Sequence, residues 1–146
     1  MEDVIIIDDE RYFARQYSQV LDEWYKVTIC RSAQEGIQCL KSNARVRALV
    51  LDIQMPTPQN VEEYETRSGV DTGIWLLRTC RSELMERFIP ILVLTNRPEK
   101  EVEARVRPLA YPIGQIEIFH KPNVSPQDFA RQVNSAIQRW SKYSQA

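Results

Sequence analysis

The chain has 146 residues, 43% of them hydrophobic, which is the length and apolar content of one domain (1–146) whose core needs no covalent staple. Lys and Arg number 19 against 20 Asp and Glu, so the net charge draws the chain to neither nucleic acid nor an anionic membrane. Three cysteines without CxxC spacing argue against zinc, and no apolar run nears the roughly 18 residues that span a bilayer. The acidic start Met1-Glu2-Asp3 is unlike a signal peptide, so the expected location is cytoplasmic.

Val4 to Ile7 is apolar without alternation, as expected of a strand covered on both faces of a parallel sheet, and it runs into Asp8-Asp9. Phe13, Tyr17, Val20, Leu21 and Trp24 then share one helical face. Val27-Thr28-Ile29 alternates like an edge strand, and Ala33, Ile37, Leu40 and Ala44 form a second helical stripe. Ala48 to Leu51 is the second buried strand and stops at Asp52. Residues 56–70 interrupt this rhythm with two prolines and three glutamates and read as a long loop.

Ile74, Leu77, Leu84 and Phe88 give a looser helical stripe, followed by the third buried strand, Ile91 to Leu94, which ends at Thr95. Pro98 opens a weak helix, seamed only by Val102 and Val106, that Pro108 and Pro112 close. Ile116-Glu117-Ile118 alternates as the other edge strand and leads through Phe119 and His120 to Lys121-Pro122. Ser125, Pro126 and Asp128 mark the start of a last helix, whose Phe129, Val133, Ala136, Ile137 and Trp140 share a core-facing side.

Five strands alternating with five helices imply a doubly wound α/β fold, a five-stranded parallel sheet with helices on both faces. Such sheets bind ligands beyond the carboxyl ends of the strands, where the strand order reverses. Asp8, Asp9, Asp52, Thr95 and Lys121 all fall at those ends. Three carboxylates held together repel, a hard divalent cation such as Mg²⁺ relieves the repulsion, and Lys121 with Thr95 is suited to an anion on the open side.

These residues, with Met55-Pro56 after Asp52 and Pro122 after Lys121, resemble the receiver domain of two-component response regulators, and the resemblance spans nearly the whole chain. It implies a flavodoxin-like strand order 2-1-3-4-5, with Asp52 as phosphoacceptor. It also implies that Asp9 and Asp52 bind Mg²⁺ together with the Gln54 carbonyl, with Asp8 helping through water. Thr95 and Lys121 would contact the phosphoryl oxygens. The implied donor is a partner histidine kinase or phosphotransfer protein. The implied output passes through a downstream protein, a fused output domain or a homodimer, with no turnover of a free substrate and no direct contact with nucleic acid or membrane.

Several positions depart from that pattern. A dozen or so extra residues follow Asp52 before Gly73, which takes the place of the glycine opening the third helix. Asn96 follows Thr95 where a small residue is usual, and Ile118 occupies the usual place of a switching aromatic, with Phe119 displaced onto the opposite face of its strand. The insertion at 57–70 is expected to be a flap or partner-contact element beside Asp52, the alternative being a solvated disordered insert. The alternative function is a pseudo-receiver that binds protein without switching by phosphate.

Overall fold

The computed structural model describes residues 2–144. Strands β1 (Asp3–Ile7), β2 (Lys26–Cys30), β3 (Val46–Leu51), β4 (Ile91–Thr95) and β5 (Ile116–His120) form one parallel sheet in the order β2-β1-β3-β4-β5. Helices α1 (Arg11–Leu21) and α6 (Pro126–Ser144) cover one face. Helices α2 (Ala33–Ser42), α3 (Thr72–Thr79), α4 (Arg81–Glu86) and α5 (Glu99–Val106) cover the other. The order reverses between β1 and β3, so the crevice of a doubly wound sheet falls at the ends of these two strands. Among the described residues no helix is long and apolar enough to cross a membrane.

Double coverage explains the unbroken apolar runs. In β1, Ile5 and Ile7 enter the core under α2 to α5, while Val4 and Ile6 enter the core under α1 and α6. Leu49 and Leu51 against Ala48 and Val50 in β3 repeat the division, as do Ile91 and Val93 against Leu92 and Leu94 in β4. The edge strands β2 and β5 are mostly half-buried, as their mixed sequences predict. Phe119 does point away from Ile118, and its ring meets Phe129 edge-on at 5.5 Å.

Three helical expectations need correction. The stripe from Ile74 to Phe88 is two helices, α3 and α4, meeting at Cys80, because Cys80 leaves helical geometry (φ −98°, ψ 12°). Phe88 lies beyond α4 with φ +53°, outside the core, and stacks on Tyr143. Trp24 falls beyond the end of α1 and is exposed, and Ala44 falls beyond α2, since both helices stop before the apolar spacing does. The last helix starts as its sequence indicates, with Ser125 Oγ accepting the Asp128 N–H at 3.1 Å, although Trp140 is only half-buried.

The segment 57–70 is folded, which removes the disordered alternative. It contains a 3₁₀ helix, Glu63–Thr66, entered through the Glu62 N–H, which donates to Glu65 Oε2. Thr66 is fully buried and its hydroxyl accepts the Gly69 N–H at 3.1 Å. The chain is then tied back to the end of β3, where the Met55 N–H donates to the Gly69 carbonyl and Thr72 Oγ1 donates to the Met55 carbonyl at 2.7 Å. Gly69 has φ +91°, and a Cβ there would stand 2.7 Å from the Met55 carbonyl oxygen, so this closure requires glycine.

Gly73 performs a related task at the start of α3. Its N–H donates to the Ile53 carbonyl at 2.8 Å, and an added Cβ would lie 2.6 Å from the Asp52 carbonyl oxygen and 2.7 Å from Ile53 Cα. Both contacts are backbone, so relief requires moving α3 off the strand end that carries Asp52. Gly73→Ala is therefore expected to cost on the order of 1–3 kcal/mol of stability, read as a lower urea midpoint. An unchanged midpoint would show that α3 withdraws freely.

Candidate functional site

The carboxyl ends of β1 and β3 are joined by the Asp52 N–H donating to the Ile7 carbonyl at 3.0 Å, which sets Asp8 and Asp52 side by side. Both side chains are almost fully buried, as is that of Lys121 at the end of β5. Lys121 Nζ lies 3.1 Å from Asp8 Oδ2 and 3.4 Å from Asp52 Oδ2, and 5.0 Å above the centre of the Phe13 ring. The other Asp52 oxygen accepts the Ile53 N–H at 2.8 Å. The nucleophile candidate is therefore held by backbone at one oxygen and by an ammonium at the other.

Thr95 ends β4 on the same rim; it is buried and its hydroxyl accepts the Arg97 N–H at 3.0 Å. Asp9 and Gln54 are exposed and line an open cavity of about 410 Å³ with Asp52 and Thr95. Ser68 and Gly69 of the insertion, together with Asn96 and Arg97, form the opposite part of its wall. All six residues picked out in the sequence, Asp8, Asp9, Asp52, Gln54, Thr95 and Lys121, thus gather at one end of the sheet. Asp9 is set apart from the tight group, whose carboxylates belong to Asp8, Glu10 and Asp52, each with an oxygen within 4.8 Å of the others.

Glu10 was not singled out by sequence reasoning as a site residue. It is the N-cap of α1 but caps no amide with its side chain; Oε1 instead accepts from Lys121 Nζ and from Asn96 Nδ2, both at 3.3 Å. Its position after the Asp8-Asp9 pair was the available signal, but an acid there reads equally as a favourable charge at a helix start. Arg97 and the insertion residues Ser68 and Gly69 had no such signal. They reach the cavity only because the loop after β4 and the folded insertion converge above Asp52.

The charges are unbalanced. Burial and the neighbouring Asp8 raise the Asp52 carboxyl to about 7, outweighing Lys121 and the Ile53 N–H, which act in the opposite direction. Burial and Asp8 also raise Asp9. Burial lowers Lys121, but the attraction of Asp52 and Asp8 more than reverses this, and the ammonium stays charged. Three clustered carboxylates with one ammonium can coordinate a divalent cation, and their hard oxygen donors suit Mg²⁺ or Ca²⁺ better than a soft metal.

The fold is that of known receiver domains. A response regulator receiver domain from Clostridium thermocellum superposes with a TM-score of 0.73 at 20% identity, covering 98% of this chain and 99% of that one. A CheY-like receiver domain from Methanospirillum hungatei gives 0.72 at 18% identity, covering 98% of both. The Vibrio cholerae chemotaxis protein CheY4 gives 0.71 at 21% identity, covering 93% of this chain and 98% of its own. No family model matches the sequence. No curated protein matches it either.

The raised Asp52 carboxyl fixes the sign of a stability effect. In the folded chain Asp52 holds its proton up to about pH 7, whereas in the unfolded chain it ionises near 3.8, so its ionisation works against folding as pH rises through that window. Without divalent cation, Asp52→Asn should therefore stabilise the protein on the order of 1–3 kcal/mol at pH 8, with the gain shrinking towards pH 4. Thermal melts of both proteins across this range test it, and a gain independent of pH would contradict the proposed crowding of acids.

Proposed function

We propose that the chain is a phosphoacceptor module of the receiver kind, taking a phosphoryl group on Asp52 and passing the change on through protein contacts. The observation that carries this reading is the pairing of buried Asp52 with buried Lys121 beside an open cavity at the topological switch of the sheet. The receiver-domain fold supports it.

In this reading an Asp52 carboxylate oxygen attacks the donor phosphorus. A new O–P bond forms as the N–P bond of a phosphohistidine breaks, and the electron pair leaves with the donor nitrogen. Lys121 balances charge on the carboxylate and then on the phosphoryl oxygens, and the Thr95 hydroxyl donates to one of them. Asp9, Asp52 and the Gln54 carbonyl would hold Mg²⁺, with Asp8 assisting through water and Glu10 as a further candidate acid. Bound there, Mg²⁺ would neutralise developing negative charge. The donor is a histidine kinase or phosphotransfer protein, and the recipient is a downstream protein, a fused domain or a second copy of the chain.

Glu10 adds a feature of its own. Its carboxylate already accepts from Lys121, so it competes with an incoming phosphoryl group for the same ammonium. Glu10→Gln should therefore speed phosphorylation by a small-molecule donor a few-fold, the scale of one partly exposed charge pair of about 1 kcal/mol or less.

The direct test is intact mass after incubation with Mg²⁺ and acetyl phosphate. One added phosphoryl group in the parent and none in Asp52→Asn is the expected result. If the parent gains no mass and binds no Mg²⁺, the phosphate-independent pseudo-receiver replaces this reading, consistent with Ile118 in place of a switching aromatic.

A further inference from the structure

Asp71 immediately precedes α3 at its N-cap position, yet its carboxylate caps none of that helix's amides. It is instead nearly buried, with 7% side-chain exposure, and gathers three guanidinium groups from three parts of the chain. Arg97, from the loop after Thr95, donates through Nη1 to Oδ1 at 2.8 Å. Arg105 of α5 donates through Nε to Oδ2 at 3.0 Å, and Arg67 of the insertion donates through Nη1 to the same oxygen at 3.2 Å. Burial alone would raise the Asp71 carboxyl, but the hydrogen bonds from Arg97, Arg105 and Arg67 hold it below the usual carboxylate range.

Arg97 is the link to the phosphoacceptor cavity. Its side chain is only 11% exposed and is fixed further by the Val70 carbonyl at 3.0 Å and by Glu101 of α5. Its backbone N–H donates to Thr95 Oγ1 at 3.0 Å. That bond occupies a lone pair of the Thr95 hydroxyl and leaves its hydrogen to turn into the cavity. A continuous chain of hydrogen bonds therefore runs from Asp71 through Arg97 to Thr95. Arg67 and Arg105 attach the insertion and α5 to the same carboxylate.

We infer that Asp71 is a positioning residue for the phosphoacceptor site: by holding Arg97 it sets the Thr95 hydroxyl, and by sharing its carboxylate with Arg67 and Arg105 it couples the 57–70 insertion and α5 to that setting. The inference rests on the phosphoacceptor reading of Asp52. It assigns the insertion a definite task, since Arg67 reaches Asp71 only because the 3₁₀ turn and Gly69 fold the segment back onto β3. It also supplies a route from the site to the surface that does not need an aromatic at position 118. Asp71 touches neither phosphoryl group nor metal and acts through Arg97 alone.

The test is a double-mutant cycle on the full chain, reading the rate at which acetyl phosphate adds mass at saturating Mg²⁺. Asp71→Asn should slow the parent on the order of tenfold, within the range that misplacing a remote positioning contact produces. Mg²⁺ affinity by calorimetry should not change, because none of the proposed ligands is altered. In a Thr95→Ala background Asp71→Asn should add no further slowing, a result that general destabilisation would not produce. If Asp71→Asn fails to fold, Arg97→Ala carries the same cycle with Asp71 still paired to two guanidiniums. Arg97→Lys should recover part of the loss.

Equal slowing in the parent and Thr95→Ala backgrounds, or no slowing in a parent that does take the phosphoryl group, would overturn the positioning role and leave the phosphoacceptor reading intact. A parent that takes no phosphoryl group would overturn both.

Discussion

The structure depends on one buried cation, Lys121, held among acids that could not otherwise be buried together. Removing an ammonium from water costs several kcal/mol, and only close, well-directed carboxylates offset that cost. Asp8 and Asp52 provide two at 3.1 and 3.4 Å, and Glu10 a third at 3.3 Å from the cavity side. The converse also holds, because Asp8 and Asp52 at the touching ends of β1 and β3 need a positive charge. One ammonium does not satisfy three acids, and the raised Asp52 and Asp9 carboxyls express the remainder. A site short of one or two positive charges and open to solvent is chemically ready for a divalent cation and then a phosphoryl group.

The rest of the fold holds that cluster in place. The strands are buried on both faces, so their register is fixed by packing and their ends cannot slide. Gly73 lets α3 begin against the backbone of Asp52 and Ile53, and Gly69 lets the insertion close on Met55. The insertion is thus part of the cavity wall and continuous with the loop carrying Thr95 and Arg97. With Ile118 and Phe119 on opposite faces of β5, the short hydrogen-bonded route through Arg97 and Asp71 is the better-defined connection from the cavity to α5.

Much of this architecture was legible in the sequence because its physics is local or pairwise. Unbroken apolar runs identify β1, β3 and β4, since a strand covered on both faces has no polar alternation to show. Ser125 and Pro126 mark the start of α6 through a capping bond made within one turn. The polar residues ending each run point to the site, because parallel strands all deliver their carboxyl ends to one rim. The helical errors came from reading apolar spacing past the point where the backbone turns, as at Trp24, Ala44 and Phe88. Burial at those positions depends on what lies opposite, and spacing does not record it.

The sequence by itself therefore determined the sheet, its double coverage and the set of acids, hydroxyl and lysine that meet at its end, because strand period and topology bring those positions together. Only the tertiary structure decided which acids crowd together, that Glu10 turns back to Lys121 and that residues 57–70 fold into the cavity wall. It alone also decided that Asp71 collects guanidiniums from positions 67, 97 and 105. Those contacts join side chains up to 111 residues apart, and their partners are set by the packing of separate elements, to which no local sequence pattern corresponds.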